Sequence, residues 1–242
     1  MGNIELISFA TAEDLAKAAA REWLKEIQQA NGKGGSYCVA LSGGRIAGRF
    51  LSAVAELAKA SRCAFDPVEF FWSDERCVPP ADPESNFVLA QERLFLPLAV
   101  PVRQVHRVRG EAPPEIAAAE AEAELCRIAP RSNSTQPVLD LIFLGLGEEG
   151  HVASLFPAES DTLIASPAVY RPVVALKPPP RRITLGYPAI AAARQVWVLA
   201  SGPGKTAALS ASLYPDGRTP LARVLQSRKH TRIFTDIPAI YG

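Results

Sequence analysis

Short apolar runs of strand length recur along this chain, and most of them end on a glycine or proline break that leads into a helical stretch. Ser36 to Leu41 is followed by Ser42-Gly43-Gly44 and a helical segment from Arg45 to about Ala60. Pro67 to Trp72 gives way to a loop with Pro79, Pro80 and Pro83, then to a helix that Ser85 can cap. Leu139 to Leu144 ends in Gly145-Leu146-Gly147, and Val173 to Leu176, Ile183 to Leu185, Val196 to Ala200 and Arg232 to Thr235 supply further strands. Val102 to Val108 is a weaker strand candidate. Helices are expected from Thr11, three residues before Asp14 as in a capping box, to about Ala30, and from Pro113-Pro114 to Ile128. Strands alternating with helices predict an α/β fold with a mainly parallel sheet covered by helices on both faces, Rossmann-like and three-layered. Ligands then gather at the carboxyl ends of the strands.

At 242 residues with 48% hydrophobic side chains, the chain can bury about 70 to 75% of its unfolded surface, so one domain over residues 1–242 is expected. Lysine plus arginine number 26 against 25 aspartate plus glutamate, a net charge of +1 that offers no global field to nucleic acid or an anionic membrane. An anionic ligand must therefore be captured locally. Cys38, Cys63, Cys77 and Cys126 are scattered without metal-ligand spacing, so they read as reduced thiols and no metal is expected. Glu5, Glu13 and Asp14 defeat a signal-peptide reading, Leu6 stands where myristoylation wants serine or threonine, and no apolar run reaches the roughly 18 residues of a membrane span. These features predict a soluble, cytoplasmic protein, a monomer or weak homodimer.

Three strand ends carry candidate chemistry. At Leu41-Ser42-Gly43-Gly44-Arg45 two glycines lead into a helix, where free N–H groups and the helix dipole favour a phosphate and Arg45 can fork onto its oxygens. The same pattern also serves as a plain structural turn. At Trp72-Ser73-Asp74-Glu75-Arg76 the chain passes from aromatics directly into charges, either at the mouth of a pocket or as a solvated ion-paired loop. Gly145-Leu146-Gly147-Glu148-Glu149-Gly150-His151 contains a literal G-x-G-x-x-G, yet Pro157 cuts the next segment short and Glu159 and Asp161 come too early for a ribose-binding acid. What remains is His151 on a strand-end loop with Glu149 two residues before it, able to take a proton from water near neutral pH or, as is common for a lone histidine, to be held for structure.

One further match is misleading. Gly202-Pro203-Gly204-Lys205-Thr206 ends like a Walker A loop, but Leu199 occupies the position of its first glycine, so a nucleotide-binding loop cannot close; Lys205 still stands where a phosphate counter-charge would. No G-x-S-x-G is present, and Ser154 reads as structural.

Together, from about Val39 to Asp236, these segments resemble the 6-phosphogluconolactonase family and, more distantly, the glucosamine-6-phosphate deaminases and isomerases. The resemblance is carried by Leu41-Ser42-Gly43-Gly44, Trp72 to Pro80 with Ser85-Asn86, Gly145 to His151 leading into Ala153-Ser154-Leu155-Phe156-Pro157, and Arg182-Ile183-Thr184 with Gly204-Lys205. It implies hydrolysis of 6-phosphoglucono-1,5-lactone, the second step of the oxidative pentose phosphate pathway, without cofactor. It also implies that Ser42, Gly43 and Gly44, with Arg182 and Lys205, hold the phosphate, to which the helix-start reading adds Arg45. His151 would be the general base beside Glu149, and Arg76 with Asp74 would lie at the reacting sugar, Arg76 on the oxyanion or on a hydroxyl. Three departures from the family pattern stand in the chain: Arg45-Ile46-Ala47 replaces a serine-threonine-proline type segment, Glu149 an aspartate and Val152 a threonine. The competing expectations are a deaminase or isomerase using Asp74 as a carbon base, and a non-catalytic sugar-phosphate sensor, for which no basic DNA-reading segment is evident.

Overall fold

The computed structural model describes residues 2–32, 34–129 and 136–238. In chain order the elements are β1 (Asn3–Ser8), α1 (Ala12–Asn31), β2 (Tyr37–Leu41), α2 (Arg45–Ser61), β3 (Val68–Trp72), β4 (Asp74–Arg76), α3 (Asn86–Ala90), α4 (Leu96–Leu98) and α5 (Pro114–Ile128). They continue as β5 (Leu141–Gly145), α6 (Asp161–Ile164), β6 (Tyr170–Val174), β7 (Arg181–Leu185), α7 (Tyr187–Ala192), β8 (Gln195–Ala200), α8 (Thr206–Leu213), α9 (Pro220–Ser227) and β9 (His230–Thr235).

Six strands form one sheet in the order β1-β9-β8-β5-β2-β3, and every neighbouring pair in it is parallel. The fold is thus a three-layer α/β arrangement, with α1 packed on α2 in one layer and α7 and α8 packed on α9 in another. All five residues of β2 are buried, as a central parallel strand covered on both faces requires. Local chemistry sets the helix starts: Thr11 Oγ1 accepts from the Asp14 N–H at 3.1 Å, and α1 then buries Leu15, Ala19, Trp23 and Ile27 at helical spacing. Trp23 packs against Phe50 of α2 and Phe143 of β5, with ring centroids 5.6 and 5.1 Å apart, which ties that helix layer to the sheet.

From β2 the chain moves outward to β3 on one side and from β5 outward through β8 to β9 on the other, where the amino-terminal β1 adds the edge, so the switch point of the sheet lies between β2 and β5. The two strand ends converge there: a Cβ built on Gly145 would lie 3.7 Å from the Gly43 carbonyl oxygen.

Three features depart from the sequence expectation. β4, β7 and β6 form a separate antiparallel sheet, so two of the expected strands do not join the parallel layer. The candidate strand Val102 to Val108 is a 3-10 turn at Val102–Gln104 followed by a single bridge from Val105 to Phe70. Gln104 is drawn inward there, its side-chain amide donating to the carbonyls of Phe65 and Val68 at 2.7 and 2.8 Å, which fastens the segment beside β3 without a ladder. The amino-terminal strand β1, unexpected from sequence, pairs along its length with β9 as an edge strand; its half-exposed pattern gives little hydrophobic signal.

Candidate functional site

At the switch point a cleft of about 300 Å³ opens, within the usual size of small-molecule sites. Its walls come from the turn after β2, from β4, from the loop after β5, from β7 and from the start of α8. Asp74, Arg76, Glu149, His151, Arg182 and Lys205 line it, as do Ser42, Gly43, Gly44 and Arg45. Residues up to 163 positions apart in the chain therefore face one another, since Ser42 and Lys205 share this wall.

The anion side begins at α2. Gly44, at φ 95°, is its N-cap and offers no side-chain hydrogen bond, so no cap side chain covers the first amides of this 17-residue helix where Gly44, Arg45 and Ile46 line the cleft. Gly43 must lack a side chain, because a Cβ there would overlap the Asn86 carboxamide. Arg182 spends Nε on the Pro179 carbonyl at 3.0 Å and Nη2 on that of Lys177 at 3.3 Å, which aims the guanidinium. Arg76 and Arg182 are direct cross-strand partners of β4 and β7. Like charges so placed repel, and an anion between them relieves the cost. Burial, and then the nearby Arg76 charge, push the Arg182 pKa down; burial and Arg45 do the same to Lys205. Arg45 itself is exposed on the lip, where it borders both this cleft and a wider groove along α2, so it meets a ligand from the rim and not from within.

The base side is the loop after β5. His151 is one-quarter exposed, with Nδ1 3.2 Å from Glu149 Oε1 and its ring tilted against Phe156 at 5.2 Å. Burial lowers the imidazole pKa, outweighing the Glu149 and Asp74 carboxylates that act to raise it. Burial alone would raise Glu149, but its own backbone N–H and the charges of His151 and Lys177 hold it below the usual carboxylate range.

Between the two sides, Asp74 is only 4% exposed, with Oδ2 accepting from Ser154 Oγ at 2.7 Å and Oδ1 3.3 Å from the Asn86 amide nitrogen. Arg76 Nη1 donates to the Glu84 carbonyl at 2.7 Å, while its Nε is buried without a partner among the described residues. Glu75 turns away from the cleft: it accepts from the Asn86 and Phe87 amides at 2.8 Å each and, with Ser85, caps α3. Asn86 and Lys177 also line the cleft, and sequence reasoning did not single them out as site residues. The helix cap at Ser85 and the proline run after Lys177 were the visible signals, but neither shows a direction of approach. No group of three or more histidine, cysteine, aspartate or glutamate side chains among the described residues is arranged to hold a metal ion.

The arrangement brings an imidazole, carboxylates and cations to the wall of one cleft of small-molecule size, a set able to move a proton and to hold an anionic group. The family described as glucosamine-6-phosphate isomerases/6-phosphogluconolactonase matches residues 10–234. The 6-phosphogluconolactonase of Streptomyces coelicolor is 34% identical over 215 residues, covering 86% of this chain and 82% of that protein. That of Mycobacterium tuberculosis is 35% identical over 210 residues, covering 85% and 84%. Among solved structures, the devB protein superposes with a TM-score of 0.87 at 28% identity, covering 96% of each chain.

Proposed function

The chain belongs to the glucosamine-6-phosphate isomerase/6-phosphogluconolactonase family, and on that footing we propose that it hydrolyses 6-phospho-D-glucono-1,5-lactone to 6-phospho-D-gluconate, the second step of the oxidative pentose phosphate pathway, in the cytoplasm. The observation that carries this reading is the cleft whose lining brings His151 and Glu149 together with the Gly43-Gly44 turn, Arg182 and Lys205. In the proposed reaction the phosphate sits on the α2 amides between Arg182 and Lys205, which fixes the ring. His151 takes a proton from a water as its oxygen bonds to C1, and the imidazolium returns that proton to the ring oxygen when the C1–O bond breaks. Glu149, 3.2 Å from Nδ1, steadies the charged form of the imidazole by its charge, and Arg76 faces the sugar with its Nε still unpaired. A deaminase would need Asp74 as a base on carbon. The near-complete burial of that carboxylate and its bonds to Ser154 and Asn86 favour a fixed acceptor instead.

The direct test uses purified protein with freshly made 6-phosphogluconolactone, following acid release above the spontaneous rate, with glucosamine 6-phosphate assayed alongside for ammonia. Acid release without ammonia is expected; ammonia release alone would replace the lactonase reading by the deaminase one. Anchoring makes a second expectation. Arg182→Ala and Lys205→Ala should each raise KM for the phosphorylated lactone by about 10-fold or more and change hydrolysis of the unphosphorylated lactone little. Equal losses on both substrates would refute the cradle. A third expectation concerns pH. Because burial lowers the His151 pKa, the base stays neutral below the free-imidazole value of about 6.5, so the acid limb of the kcat/KM profile should fall below that pH. A limb centred above it would show that His151 is not the titrating group.

A further inference from the structure

Resting on the lactonase reading, we infer that Ser154 is a positioning residue that fixes Asp74 and, through Asp74, sets the base His151. Ser154 is fully buried and bonded to two strands at once. Its Oγ donates to Asp74 Oδ2 at 2.7 Å, and its backbone N–H donates to Thr184 Oγ1 at 3.2 Å. Asp74 on β4 and Thr184 on β7 are themselves direct cross-strand partners. The Thr184 hydroxyl donates onward to the Leu185 carbonyl at 3.1 Å, which turns its lone pairs towards Ser154. Ser154 lies three residues after His151, inside a turn closed by the Val152–Leu155 bridge with Ala153 at φ 48°. One side chain thus fastens the loop that carries the base to the small sheet that carries Arg182.

The electrostatics give this link a catalytic consequence. Asp74 is a buried carboxylate with no cation within ion-pair distance among the described residues, so hydroxyl and amide donors alone fix the position of its oxygens. The charged groups that act on the imidazole are Glu149 from its own loop, Asp74 from β4 and Arg182 from β7. Lys177, Arg76 and Lys205 line the same cleft. Losing the Ser154 hydroxyl would remove the shortest bond to Asp74 and free the turn beside His151. A serine that merely fills space would matter equally whether or not Asp74 is charged.

A double-mutant cycle separates these roles. With the lactone, Ser154→Ala and Asp74→Asn are each expected to lower kcat about 10-fold or more with KM within about twofold, and the double variant to be no slower than Asp74→Asn. Independent, multiplying losses would overturn the inference, as would a Ser154→Ala enzyme with unchanged kcat. Should Ser154→Ala fail to fold, Thr184→Val and Thr184→Ser decide: a kcat loss in the first that the second restores supports the link, and equal rates refute it. Imidazole NMR reads the same cycle without substrate. Asp74→Asn should lower the His151 titration midpoint; Ser154→Ala should shift it in the parent but not in the Asp74→Asn background. A parent that shows no lactone hydrolysis would sink the lactonase reading, while the NMR cycle would still decide the link.

Discussion

Replacing His151 with asparagine is expected to lower turnover of 6-phosphogluconolactone about 100-fold or more while leaving KM within a few-fold of the parent. Asparagine retains a polar, hydrogen-bonding side chain of similar reach and removes the imidazole, the histidine that lines the cleft among the described residues. The proposed phosphate cradle draws on the turn after β2, on β7 and on the start of α8, so it does not depend on the imidazole. His106, the other largely buried histidine, cannot substitute. Its ring nitrogens lie 2.9 and 2.8 Å from Glu124 and Glu69 and it stacks on Phe71, outside the cleft. A steady-state comparison at saturating lactone checks the expectation, and an unchanged kcat would remove His151 as the base.

The second large effect comes from a position with no functional group at all. A Cβ added at Gly147 would overlap the imidazole of His151, whereas its backbone is not among the glycines with positive φ. Gly147→Ala should therefore fold, because a partly exposed imidazole can swing aside at small cost, yet it should lose turnover by about 100-fold, the penalty of displacing a catalytic group by about an ångström. The contrasting variant is Gly150→Ala. Gly150 sits at φ 84°, and a Cβ there would lie 2.7 Å from the Thr219 side chain, whose hydroxyl caps α9 by accepting from the Ala222 N–H at 3.0 Å. That substitution should cost stability, about 1 to 3 kcal/mol, in addition to any loss of rate. Thermal melts and kcat for the two variants together test the distinction, and a Gly147→Ala enzyme of parental kcat would show that the imidazole need not occupy this place.

The fold was legible wherever the chain repeated one physical signal. Fully apolar runs such as 37–41 and 141–144 could be buried on both faces only as central parallel strands, and the breaks after them marked where the chain leaves the sheet. β1 gave a weak signal because an edge strand half covered by protein needs no clear apolar pattern. β4 was hidden for a different reason: Asp74-Glu75-Arg76 reads as a charged loop, and its pairing with Arg182-Ile183-Thr184 is stabilised by partners more than a hundred positions away.

Of the site, the sequence by itself determined the chemical inventory: one histidine at a strand end, a glycine turn before a helix, and cations beyond two other strands. These follow from local rules, since glycine spacing and strand ends depend only on neighbouring residues. Only the tertiary structure decided what the inventory does. It placed the switch point between β2 and β5, turned Glu75 inward to cap a helix, left Arg45 on the rim, brought Lys177 and Asn86 into the wall, and joined Ser154 to Asp74 across 80 positions. Those outcomes depend on the direction of side chains from distant strands, which the packing of two sheets fixes and no local pattern encodes.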